Sequence, residues 1–72
     1  MGAWTRTQDG WCAEASDLNA EFDATGRIPH DPEGKPVNLR DPEWQPQRDA
    51  EGELLSWKRK VPNGSTLTVF ND

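Results

Sequence analysis

Leu54-Leu55-Ser56-Trp57-Lys58-Arg59-Lys60-Val61-Pro62-Asn63-Gly64-Ser65-Thr66-Leu67-Thr68-Val69-Phe70 is the stretch whose reading decides the fold. Two strand-like runs flank Pro62-Asn63-Gly64, and two registers compete. A two-residue Asn-Gly loop pairs Val61 with Thr66 and Trp57 with Phe70, and leaves both faces mixed. A three-residue Pro-Asn-Gly loop pairs Val61 with Ser65, Arg59 with Leu67 and Trp57 with Val69. That register collects Leu55, Trp57, Val61, Leu67 and Val69 on one face. Ser56, Lys58, Lys60, Thr66 and Thr68 fall on the other. A slip of one residue would scramble the sorting, so burial selects the second register. The turn residues agree: Pro suits the second position of a type I turn and Gly64 the left-handed bulge position. Phe70 is the exception on the polar face, placed to cover the sheet or to touch a partner. The expectation is a β-hairpin over about 54–70.

Residues 27–53, just upstream, hold five of the six prolines: Pro29, Pro32, Pro36, Pro42 and Pro46. Prolines at this density forbid a helix and interrupt sheet ladders. The segment is predicted to be an extended crossover with type I turns at Asp31-Pro32-Glu33-Gly34 and Asp49-Ala50-Glu51-Gly52. Its large apolar anchors after Ile28 are Val37, Leu39 and Trp44. The unequal spacing of the Asp-x-x-Gly tetrads marks recurring turn chemistry and not a structural repeat.

Farther out, Asp9 to Ala24 contains no β-branched residue and is rich in helix formers. Trp11, Ala15, Leu18 and Phe22 recur at helical spacing. With Asp9 as N-cap and Gly26 as left-handed C-cap, the prediction is a helix over about 10–24. The competing reading is a meander with turns at Gln8-Asp9-Gly10 and Asp23-Ala24-Thr25-Gly26 and a strand alternating Leu18, Ala20 and Phe22. The expected fold is therefore α+β, one N-terminal helix packed on a small antiparallel sheet centred on the hairpin, in a single small domain over 1–72. An all-β meander is the alternative.

Ile, Leu, Val and Phe together number eleven, and the net charge is −5. That combination borders on disorder, and the four tryptophans tip it towards a core. So small a core leaves room for self-association as a supplement. Cys12 stands alone, which excludes an internal disulfide framework, and no apolar run approaches a membrane span. No signal-peptide core precedes the first turn, so the cytoplasm is the expected location. His30 and Cys12 have no paired ligand spacing, no glycine-rich phosphate loop precedes a helix, and no nucleophile–base pattern marks a reaction. No catalytic residue, metal ligand or cofactor is expected.

Charge carries the functional expectation. Residues 1–30 sum to −3, residues 31–53 to −4 and residues 54–72 to +2. An acidic stripe against local energetics points to a basic protein partner, with Asp17, Glu21, Glu33, Asp41, Glu43, Asp49 and Glu51 as contacts. The concrete form is a non-enzymatic inhibitor or regulator of a nucleic-acid-processing enzyme, in the style of short phage or plasmid proteins of bacteria. Lys58, Lys60 and Phe70 are candidate contacts on the hairpin. The alternatives are a single-strand nucleic-acid binder using Trp57, Lys58 and Lys60, or a structural subunit of a larger assembly. Net acidity disfavours nucleic acid, and the register points Trp57 and Lys58 to opposite faces.

Overall fold

In the computed structural model, which describes residues 3–72, the hairpin takes the three-residue-loop register. Its strands are Leu54–Lys60 and Thr66–Phe70. Arg59 pairs with Leu67 and Trp57 with Val69, and the Val61 N–H donates to Ser65 O at 3.0 Å. Gly64 sits at φ 92°, the left-handed bulge residue the loop requires. The same closure recurs twice upstream. Asp31 N–H donates to Lys35 O and Asp49 N–H to Glu53 O, with Gly34 and Gly52 returning to Asp31 O and Asp49 O. In both tetrads the aspartate Oδ1 also accepts two backbone N–H groups, from Glu33 and Lys35 and from Glu51 and Glu53, at 2.9 Å. The carboxylates thus hold the turns from inside.

In chain order the elements are β1 (Thr5–Arg6), β2 (Gly10–Glu14), α1 (Ala15–Thr25), β3 (Gln45–Arg48), β4 (Leu54–Lys60) and β5 (Thr66–Phe70). The five strands form one sheet in the order β1-β2-β5-β4-β3, antiparallel except for the β2–β5 pair. One helix against a mostly antiparallel sheet is the expected α+β class, with more strands than the sequence suggested.

Two expectations need correction. The helix spans Ala15–Thr25 and not 10–24, because residues 10–14 are a strand. Trp11 therefore lies on β2 and not on the helix face, and the N-cap is Glu14, without a side-chain cap, and not Asp9. The turn that the meander reading placed at Gln8-Asp9-Gly10 does exist, since Thr7 and Gly10 exchange backbone hydrogen bonds. Its second half fails: Asp23–Thr25 belong to the helix, which Gly26 ends at φ 71° with its N–H on Phe22 O. The proline-rich crossover also contains a strand, β3. Pro46 is tolerated there because β3 is an edge.

Gly10 explains why β2 enters the sheet. At φ 154° its backbone runs so close to β5 that a Cβ would lie 2.3 Å from Thr66 O. Thr66 N–H donates to Asp9 O at 2.8 Å across the same junction. Only glycine permits this approach.

One sheet face is covered. Ala13, Leu18, Trp44, Val61, Leu67 and Val69 form its buried core, with Trp4, Trp11, Val37, Leu39 and Trp57 packed against it. All three anticipated anchors of the crossover take part. Arg59 also points into this layer, as its pairing with Leu67 requires. Its Nη1 meets Asp31 Oδ2 at 3.0 Å, both side chains being almost fully buried. Asp31 thus closes its own turn with one oxygen and pins the crossover to β4 with the other. The indole N–H of Trp4 donates to His30 O at 2.9 Å and adds a second strap.

Candidate functional site

Two surfaces follow from this layering. The first is formed by the acidic residues expected from sequence, which are spread over α1 and three separate turns. Asp17 is exposed and Glu21 partly exposed on α1, while Glu33, Glu43 and Glu51 are exposed in turns. The structure divides these residues by what their carboxylates touch. Asp41 Oδ1 accepts from Glu43 N–H at 2.9 Å, and Asp49 closes its turn as described. Glu43 Oε2 stands 3.5 Å from Arg59 Nε. Among the described residues both ion pairs belong to Arg59, so Asp17, Glu21, Glu33 and Glu51 carry charge that no described cation pairs with.

At the start of α1 a further acidic contact forms. Ser16 N–H and Oγ donate to the two carboxylate oxygens of Asp72, at 3.0 and 2.7 Å. This supplies from across the fold the cap that Glu14 does not provide. The Ser16 hydrogen bonds hold the Asp72 carboxyl below the ordinary aspartate range. The negative charge of Asp72, then its hydrogen bond, push Glu14 above the ordinary glutamate range. Both groups are fully exposed, so solvent screens the effect.

The second surface is the other sheet face, open apart from the loop residues Thr7, Asp9 and Glu43 that border it. The strand register arranges it in rows. Gln45, Lys58, Thr68, Cys12 and Thr5 cross the sheet in one row. Lys60, Thr66 and Gly10 lie to one side; Gln47, Ser56, Phe70 and Glu14 lie to the other. All of these but Thr5, Gly10 and Glu14 line an open trough of about 920 Å³, which Thr7, Asp9, Glu43, Leu55 and Arg59 also border. Phe70 is 46 % exposed there. Lys58, Lys60 and Phe70 are thus brought together. Trp57 is not with them, because it packs against the core on the opposite face.

Sequence reasoning missed Gln45 and Gln47, because prolines argued against a strand in that segment. It missed Cys12 because the residue was assigned to a helix. The partner of Arg59 was also missed, although an arginine opposite Leu67 demands a buried acid. Among the described residues no group of His, Cys, Asp and Glu is placed to hold a metal ion. No described helix is long and apolar enough to cross a membrane. No known protein family, curated protein or solved structure matches the chain.

Proposed function

We propose that this chain is a non-enzymatic protein-interaction module that presents its acidic side to a basic protein partner. Its concrete form is an inhibitor or regulator of a nucleic-acid-processing enzyme, of the kind phages and plasmids carry. The observation that carries this reading is the set of uncompensated carboxylates at Asp17, Glu21, Glu33 and Glu51. The most deeply placed cation, Arg59, is already engaged by Asp31 and Glu43. Unpaired exposed charge of one sign steers a partner of the opposite sign and fixes its orientation.

Capture from extracts of the source cells tests this, with the wild-type chain beside the triple variant Asp17→Lys/Glu21→Lys/Glu33→Lys. The expected result is a basic protein held by wild type at low salt, released at moderate salt, and lost by the variant. Circular dichroism checks that the variant keeps its fold. A partner that ignores both salt and charge reversal would overturn the proposal.

A further inference from the structure

We infer that the uncovered sheet face is a binding surface for a short single-stranded nucleic acid, with Phe70 as the stacking platform and Lys58 and Lys60 as the phosphate contacts. A lysine pair on a hairpin ordinarily guards a sheet edge against aggregation. That explanation does not hold here. Both lysines lie on β4, an interior strand flanked by β3 and β5, and edge protection is of no use at the middle of a sheet. Neither lysine has an ion-pair partner among the described residues. A solvated sheet face is ordinarily polar; what this one offers a negatively charged ligand is two unpaired cations beside an exposed aromatic ring.

The chemistry around them narrows the ligand. Phe70 shares the face and lies diagonally from Lys58, since Lys58 pairs with Thr68 two residues before Phe70. Lys58 and Lys60 are about 7 Å apart along the strand, a spacing that suits successive charges of an extended polymer. Gln45, Gln47, Thr66 and Thr68 add neutral donors and acceptors beside them. An exposed aromatic ring with flanking cations and amides fits a base and its phosphates. An acidic peptide would gain most by adding as a strand, and both edges are blunt. One is the two-residue β1 and the other carries Pro46. Self-pairing of this face in a symmetric dimer would set lysine against lysine. The net charge of −5 opposes a polyanion at long range. Asp9 and Glu43 border the same trough and Glu14 pairs with Phe70, so only the two lysines at contact range favour the ligand; screening within about 8 Å at physiological salt mutes the rest, and affinity is correspondingly low.

Fluorescence anisotropy of short labelled oligothymidylate and oligouridylate strands titrated with the full chain tests this. Trp emission is not the reporter, because the indole of Trp57 faces away. Two phosphate contacts predict a log–log salt slope of about −1.4, falling to about −0.7 in Lys58→Ala. Phe70→Ala weakens binding about tenfold. Phe70→Leu, which keeps the apolar bulk, weakens it nearly as much, and melting curves confirm that each variant folds. No binding at low salt, or a slope and affinity indifferent to these variants, overturns the inference. So does binding of a labelled oligoglutamate peptide of the same length, with the same lysine dependence, in preference to both oligonucleotides.

Discussion

The hairpin over 54–70 and the segment over 10–25 were equally rich in local signals, yet only the first folds in the register those signals read, with Leu55 left half exposed where the sorting assigned it to the covered face. In the hairpin, turn chemistry and face sorting act on residues a few positions apart, and both point to one register. In the other segment, helical spacing joined Trp11 to Ala15 and Leu18, but Trp11 belongs to β2. The strand identity of 10–14 is set by β5, whose parallel pairing runs from Gly10–Thr66 to Glu14–Phe70. A local periodicity was overridden by a distant neighbour, and the signal of that neighbour was a single glycine.

The sharpest way to break this contrast is Gly10→Ala. The added methyl meets the Thr66 backbone, which cannot step aside, at a φ that disfavours any side chain. A loss of about 4–6 kcal/mol is expected from overlap and strain together. Urea unfolding should find little folded protein. A stable variant would mean that β2 does not approach β5 so closely.

Asp31→Ala comes next. It leaves buried Arg59 with only the exposed Glu43 carboxylate as a partner and removes two turn hydrogen bonds. About 4 kcal/mol should be lost. The double variant Asp31→Leu/Arg59→Met should recover much of it, since an apolar pair leaves no buried charge unpaired. Chemical denaturation of the three chains measures this.

Gly64→Ala probes the legible half. Its Cβ would meet nothing within 4 Å, so only the left-handed φ opposes it. A cost of about 1–2 kcal/mol follows, well short of that at Gly10. Equal losses at the two glycines would erase the distinction between local and distant control.

The smallest effect is at the helix start. Asp72 is held below its ordinary pKa, so the stability it contributes is present above the unfolded-state value and fades as pH falls through the folded one. Glu14 is held above its ordinary pKa, so its contribution is present at low pH and fades as pH rises through the folded value. Thermal stability should therefore show a shallow feature around pH 4. Asp72→Asn should flatten it. A pH profile that the variant leaves unchanged would remove the Ser16–Asp72 cap from the account.

How much the sequence disclosed follows the same division. The hairpin register, the Asp31 and Asp49 turns, the Gly26 cap and the crossover anchors were readable, because each rests on residues close in sequence. The lysine face with Ser56, Thr66, Thr68 and Phe70 was readable for the same reason. Gln45, Gln47 and Cys12 were not, since their places on that face depend on β3 and β2 joining β5 and β4 from afar. Asp31 was legible as a turn residue and not as the partner of Arg59, since nothing local relates positions 31 and 59.

The single parallel pairing has a consequence for the order of assembly. Gly10 and Thr66 lie fifty-six positions apart, so closing that loop costs far more chain entropy than zipping β3, β4 and β5 through their tight connections. The C-terminal meander should therefore form early and the β1–β2 ribbon dock late, which raises contact order and slows the final step. The ribbon should also be the first to let go: native-state hydrogen exchange is expected to reach the amides of Cys12 and Ala13 through a partial opening, before those of Leu67 paired to Arg59. Uniform exchange across the whole sheet would instead describe a molecule that opens only as one unit.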